Sequence, residues 1–369
     1  MNIGIVDADL LYHPRQRFPN LAAMKISGFH KDRGDRTKLL LDYNRLEEFD
    51  RVYISKVFTD TYIPAELVQM KNVVCGGTGF FYDKAAPLPK DVEHCMPDYT
   101  LYEQMNEIRK KQGEKKSAYK FYTDYSIGFL TRGCFRHCQF CVNQNSRKSV
   151  PASPLKEFLN EDKKKLCFLD DNFLACNKWE SFMEDILETG KRFQFRQGLD
   201  IRIMQKRQMK KLFQGKFDGN VISAFDDFAD KDLIVRKLDL LRETVPIQKK
   251  ELKLYVLCGF DRMGKWNQEF WIRDIRETMQ RIEILMKYKC LPYVMRFNKW
   301  MQAPEPYRGM YITISRWCNQ PAQYTKRSLR EFCVSQGEGK SQYRYLTSFE
   351  CKHPEMKEYL DMKYNRMGG

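Results

Sequence analysis

The feature that most constrains this chain is an alternation of strand and helix repeated six times through its middle. Short apolar runs at 125–131, 166–170, 193–197, 221–225, 252–258 and 292–297 read as strands. Helical periodicity fills the intervals at 154–161, 178–189, 202–213, 230–242 and 269–287. Successive strands joined through helices pair in parallel by right-handed crossovers. Residues 118–300 are therefore expected to form a partial (β/α)6 TIM-type barrel, with its chemistry on the loops that follow the strands.

The first 117 residues alternate in a similar way. Residues 3–6 read as a buried strand and 19–32 as a helix, with Leu21, Met24 and Phe29 near one face and Gly34 just past its end. Strand candidates follow at 38–41 and 51–58, then a helical piece at 64–70, and Val73-Val74-Cys75 runs into Gly76-Gly77-Thr78-Gly79. This predicts an N-terminal Rossmann-like parallel sheet domain over 1–117. The charged stretch 104–117 is poor in apolar residues and reads as a linker. Past Pro304 and Pro306, residues 301–369 form a small basic C-terminal extension with one strand-like run at 310–315. The fold class expected is α/β.

Charge is distributed unevenly. The net +16 divides into +1 over residues 1–117, +10 over 118–298 and +5 over 299–369. A field of this sign suits a polyanion such as RNA, and a merely lysine-rich surface would give the same count. No apolar run approaches the ~20 residues of a bilayer-spanning helix, so no membrane span is expected. Asp7 and Asp9 interrupt the apolar start and no basic segment precedes it, so a secretory signal is not expected. The twelve cysteines then read as free thiols or metal ligands in a reducing, cytoplasmic setting.

Three of those cysteines stand together after the first strand of the repeat, in Thr131-Arg132-Gly133-Cys134-Phe135-Arg136-His137-Cys138-Gln139-Phe140-Cys141. The spacing Cys-x3-Cys-x2-Cys lets one short loop offer three thiolates to a single inorganic centre. An iron–sulfur cube takes thiolates at its iron corners, and three ligands leave one iron open. A closed zinc site would need a fourth ligand. His137 adjoins Cys138, and neighbouring residues rarely both reach one tetrahedral ion.

This motif resembles the signature of the radical S-adenosylmethionine (radical SAM) superfamily, including the aromatic Phe140 before the last cysteine. The family's fold is a partial (β/α)6 barrel with its cluster loop after the first strand, where this motif falls. The resemblance implies a 4Fe–4S cluster on Cys134, Cys138 and Cys141. Its open iron would bind S-adenosylmethionine, whose reductive cleavage gives a 5′-deoxyadenosyl radical that abstracts a substrate hydrogen. By the same resemblance Phe140, Asp171, Asn172, Gln197, Asp200 and Arg202 are cofactor-binding candidates. Asp171 and Asn172 would contact the methionine amine or the ribose, and Gln197, Asp200 and Arg202 the ribose or carboxylate. Gly198 would admit close backbone approach, and the segment 256–261 would flank the adenine. The plain alternative for these strand ends is a set of turns and helix caps. A flavodoxin- or ferredoxin-type protein would donate the electron.

Two arrangements in the family place a Rossmann-like domain first. The methylthiotransferase type carries a second three-cysteine cluster there, whereas residues 1–117 hold only Cys75 and Cys95. The cobalamin type usually has Asp-x-His-x-x-Gly, and no histidine here has an Asp two residues before it. Cobalamin is thus a candidate cofactor without its cobalt-ligand motif, and the glycine run at 76–79 is either a seat for a cofactor tail or a bare turn. Cys75, Cys95, Cys167, Cys176, Cys258 and Cys290 read as buried small hydrophobes. Cys318, Cys333 and Cys351 are the candidates for an auxiliary cluster, although their wide separations lack compact-loop logic.

Lys206, Arg207, Lys210 and Lys211 mark a helix that either attracts phosphates or is an ordinary amphipathic one. Arg316-Trp317, Tyr324-Thr325-Lys326-Arg327 and Tyr343-Arg344-Tyr345 suit stacking on single-stranded nucleic acid, or a packed lid. The activity expected is radical SAM modification of RNA. The alternatives are the same chemistry on a peptide or small metabolite, and a non-enzymatic zinc-dependent nucleic-acid-binding protein.

Overall fold

A computed structural model describes residues 1–13, 15–143, 145–246 and 252–364. The protein is α/β, with parallel strand pairs in each of its three larger sheets. It divides into two compact units. The first comprises Met1–His137, Cys141–Asp171 and Glu184–Phe193; the second comprises Cys138–Phe140, Asn172–Met183 and Gln194–Gly369.

In the first unit β1 (Asn2–Asp7), β2 (Arg36–Leu39), β3 (Arg51–Ser55) and β4 (Val73–Gly76) form a parallel sheet in the order β2-β1-β3-β4. Ile3, Ile5 and Val6 of the central strand are fully buried, as a strand covered on both faces requires. The helix Leu21–Asp32 begins where the Asn20 side chain accepts the Ala23 N–H at 3.1 Å, and the chain past its end turns at Gly34. The stretch expected as a linker is instead the helix Glu103–Lys111. Tyr102, Met105, Asn106 and Arg109 lie on one buried face of it, and Arg109 donates to the carbonyls of Ala118 and Gln16 at 3.0 and 2.7 Å. An arginine and an asparagine occupy half of that inward face, so apolar periodicity alone did not reveal the helix.

The same unit holds β5 (Tyr125–Gly128), the antiparallel pair β6 (Thr131–Arg132) and β7 (Val150–Pro151), and β8 (Lys165–Phe168), which runs parallel to β5. β9 (Arg192–Phe195) completes the order β5-β8-β9. In the second unit β10 (Val221–Ala224), β11 (Leu252–Cys258) and β12 (Leu291–Arg296) form a three-stranded parallel sheet. All six strands expected from the repeat are present. Of the helices between them, 154–161 shrinks to the single turn Leu155–Glu157. After β9, the Leu199 N–H reaches the Ile222 carbonyl at 2.8 Å, so this segment runs beside β10.

The strand-like run 310–315 is also corrected, because it lies within the helix Tyr307–Cys318. Its β-branched and aromatic residues are almost all buried, on both sides, so packing overrides their strand preference. The Asn319 side chain anchors the end of this helix to β12, accepting from Val294 N and donating to Val294 O at 2.8 and 3.0 Å.

Tyr99 ties the helical and strand layers of the first unit together. Its hydroxyl accepts the Ile127 N–H at 2.9 Å and donates to the Phe158 carbonyl at 2.6 Å. Tyr99→Phe leaves that buried N–H without an acceptor and is expected to cost about 1–3 kcal/mol. Tyr293→Phe, at an exposed ring, should cost less than about 0.5 kcal/mol. Urea unfolding followed by circular dichroism checks both, and equal midpoints for the two variants would contradict the role given to Tyr99.

Candidate metal and cofactor loop

The loop from Gly133 to Ser149 carries the three cysteines and is pinched at its base by the β6–β7 pair, which sets Thr131 against Pro151 and Arg132 against Val150. Gly133 opens it with φ +92°, and a Cβ there would run into the Lys148 carbonyl, so only glycine fits. The Ser146 hydroxyl then holds the Cys134 backbone from both sides, accepting its N–H at 2.7 Å and donating to its carbonyl at 3.0 Å.

Two neighbouring carboxylates beyond the end of β8 fix the base of the loop. Asp170 accepts from the Thr131 N–H and hydroxyl, each at 2.7 Å, and Asp171 accepts the Gly133 N–H at 2.7 Å. Asp170 is fully buried, and that burial pushes its pKa up to about 7 despite the bonds it receives. Asp171 was expected to touch a cofactor; the structure gives its carboxylate a bond to the loop backbone. Asp170 was not among the candidates. The signal for it in the sequence is a carboxylate at the end of the strand that follows the cysteine loop, directly before Asp171.

Cys134, Cys138 and Cys141 are half-buried, in contrast to the fully buried Cys167, Cys176, Cys258 and Cys290. Burial pushes the thiols of Cys258 and Cys290 up, the latter to about 12, a setting for neutral packing groups. The loop thiols instead receive backbone donors: Arg136 N–H points at Cys134 Sγ (3.5 Å) and Asn143 N–H at Cys141 Sγ (3.4 Å). Where a sulfur is a cluster ligand, N–H···S bonds of this kind tune the cluster's potential. Among the described residues, no three His, Cys, Asp or Glu side chains converge as ligands of one metal ion. Three thiols are the donor type that an iron–sulfur cluster takes, one thiolate per iron.

In the second unit the Phe140 ring meets Phe260 edge-on at 5.4 Å, and Phe260 meets Phe297 at 4.9 Å. Phe140 therefore packs on rings that follow the ends of β11 and β12. Asn172 is buried and its amide reaches Asp200 at 3.5 Å. Arg202 donates to Asp200 at 2.8 Å and to Asp230 at 3.0 Å. Burial works against the Arg202 cation, but these two carboxylates prevail and hold its pKa above the ordinary value. The structure thus joins Asn172, Asp200 and Arg202 in one polar network, while Gln197 is exposed. Gly198, at φ +90°, brings its backbone against Ile222.

Sequence reasoning missed Asp226 and Arg281. The Arg281 guanidinium is buried and donates to the carbonyls of Phe225, Asp226 and Leu257 at 3.1, 2.6 and 2.9 Å. Asp226 accepts the Leu257 N–H at 3.1 Å, and burial pushes it up to about 6 against the pull of Arg281. Arg281 lies inside a helix far from any motif, which concealed it.

The remaining candidates separate clearly. Cys75 and Cys95 are half-buried, not buried as expected. Cys318 and Cys333 are buried and Cys351 is exposed, and burial pushes the Cys333 thiol up to about 12. Trp317 and Tyr324 are fully buried against each other, 5.4 Å between centroids, so these two rings serve packing and not stacking on a ligand. The glycine run after β4 is packed as well: Gly77 and Gly79 lie against the backbone of Lys56 and Phe58. At the same sheet edge Asp9 accepts from Val57 N and Thr61 Oγ1 at 2.6 and 2.5 Å. Gly76 of the glycine run, by contrast, has open space where a Cβ would stand. No helix among the described residues is long and apolar enough to cross a membrane.

A scan against protein-family models finds no match to this chain, and neither does a search of the curated proteins.

Asp170 gives this loop a pH signature. Its folded pKa lies near 7 against an ordinary 3.8, so the folded state binds a proton that the unfolded state has released between those values. Its contribution to stability is complete below about pH 4 and is lost as pH rises to 7. Asp170→Asn keeps an acceptor for Thr131 and removes the titration. Between pH 5 and 8 the parent's thermal midpoint should fall further than the variant's, and parallel curves would refute this account.

Proposed function

We propose that this protein is a radical SAM enzyme that modifies RNA. The observation that carries the chemistry is the cysteine loop, with three half-buried thiols, a base pinned by Asp170 and Asp171, and backbone N–H groups aimed at Cys134 and Cys141. The six strands, in sequential order within each sheet and with parallel pairing at β5–β8, β10–β11 and β11–β12, support a partial (β/α)6 barrel with this loop after its first strand. A 4Fe–4S cluster held by Cys134, Cys138 and Cys141 would supply one electron to S-adenosylmethionine and so give access to a 5′-deoxyadenosyl radical.

The chain's own residues then bind and exclude. Asp171 keeps the Gly133 backbone in the turn from which the thiols project. Phe140, whose ring meets Phe260, would contribute an apolar group next in sequence to Cys141 that restricts water. Asp200, held by Arg202 and Asn172, presents a fixed acceptor for a ribose hydroxyl or an ammonium. A flavodoxin- or ferredoxin-type donor in a reducing cytoplasm would deliver the electron. RNA as the substrate rests on the net +15 of residues 118–369.

The test is anaerobic reconstitution followed by iron and sulfide analysis and an assay of reductant-dependent 5′-deoxyadenosine formation. About four irons and four sulfides per chain are expected, and Cys134→Ala, Cys138→Ala or Cys141→Ala should lower 5′-deoxyadenosine at least ~100-fold. Protein that retains zinc and takes up no iron would overturn the reading. Stimulation of the assay by a peptide or metabolite and not by RNA would move the substrate to that class.

A further inference from the structure

The second unit contains a groove of about 420 Å³ lined by Glu180, Lys206, Arg207, Lys210, Lys211 and Gln214. Four of these six come from the seven-residue helix Lys206–Leu212. The opposite face of that helix is buried through Gln208, Met209 and Leu212, and the Gln208 amide also donates to the Leu174 carbonyl at 3.1 Å. The cations are therefore carried on an anchored element.

Lys210 and Lys211 stand in the last turn, where the dipole favours cations, but helix stability does not account for Lys206 and Arg207. Lys206 and Lys210, and Arg207 and Lys211, are like-charge pairs four residues apart, which repel. Lys206 and Arg207 stand in the first turn, where the helix dipole favours acids, and this first turn has none. The reciprocal capping position holds neutral Gln208, whose side chain accepts the Gln205 N–H at 2.9 Å, where a glutamate would have relieved the charge. Glu180 is the one carboxylate of the lining, and it is bound to Arg207. Among the described residues, no carboxylate forms an ion pair with Lys206 or Lys210, and both are exposed. Local rules broken in one direction at one concave place mark a binding site.

We propose that this groove holds the phosphodiester backbone of RNA. The proposal rests on RNA as the substrate and is independent of the radical chemistry. A turn of helix sets Lys206 and Lys210 about 6 Å apart along the axis, a step of the same order as that between successive phosphates of a strand. All six lining side chains are polar or charged, and four of them are cations. The groove has no aromatic ring to stack a base, so the contact positions RNA without reading sequence.

The experiment uses reconstituted holoprotein, fluorescein-labelled U20 and bulk tRNA as probes, and anisotropy titrations from 50 to 200 mM KCl. Lys206→Ala/Lys210→Ala is compared with Lys71→Ala/Lys90→Ala, an equal charge change within the nearly neutral first 117 residues. The groove variant should bind both probes at least ~10-fold more weakly at 50 mM salt. Its slope of log K against log salt should fall by about 1.4, two contacts at ~0.7 each on a single strand. The control should match the parent. Iron content and RNA-free 5′-deoxyadenosine formation should be unchanged in both variants, and the groove variant's thermal midpoint should equal or exceed the parent's because repulsion is relieved.

A groove variant with the parent's affinity and slope overturns the site and leaves RNA as substrate intact. A parent that binds neither probe at 50 mM salt overturns both. Displacement of U20 by poly-L-glutamate as effectively per charge as by poly(A) would assign the groove to acidic proteins and also overturn the proposal.

Discussion

The cysteine loop depends on two adjacent carboxylates. Asp170 and Asp171 leave the end of β8 in succession, and each takes a backbone N–H from the segment that follows β5. The segment from Gly133 to Ser149, whose described residues form no helix or strand, would otherwise sample many conformations at large entropic cost. Charged acceptors on its first residues, the β6–β7 pinch and the Ser146 staple confine that freedom to the part that carries the thiols. Asp170 is held in a buried position that disfavours its charge, so the arrangement spends stability on placement.

The second unit uses the same device with a different balance. Asp226 accepts the backbone N–H at Leu257, and Asp274 accepts the Gly259 N–H at 2.7 Å and the Tyr311 hydroxyl at 2.7 Å. Here the buried guanidinium of Arg281 supplies the opposing charge and satisfies three carbonyls around the strand ends. Strand ends expose unpaired backbone groups, and a parallel sheet places many of them on one edge. Fixed carboxylates and a guanidinium settle those groups, and the loops beyond them become a precise scaffold instead of a frayed rim.

Charge follows another logic on the helix Lys206–Leu212. Its inward face is fixed by burial, whereas its outward cations repel one another and two of them, Lys206 and Arg207, also oppose the helix dipole. The sequence showed these residues but could not weigh them, because an ordinary amphipathic helix carries lysines too. Concavity, the neutral cap and the lone Glu180 separate the two cases, and all three come from the fold.

The sequence by itself determined the α/β class, the positions of six strands and the one loop with three closely spaced cysteines. Those features are local: apolar runs, turn residues and thiol spacing lie within a few residues of one another. It misjudged the helices Glu103–Lys111 and Tyr307–Cys318, where the decisive partners are distant. Arg109 needs the Gln16 carbonyl to make burial acceptable, and the β-branched residues before Cys318 pack on all sides. Tertiary structure alone decided that Asp171 serves the loop backbone, that Asp200 and Arg202 form a pair, and that Trp317 and Tyr324 are core. Side-chain roles of this kind depend on which groups lack a partner after folding, and no spacing along a chain records that.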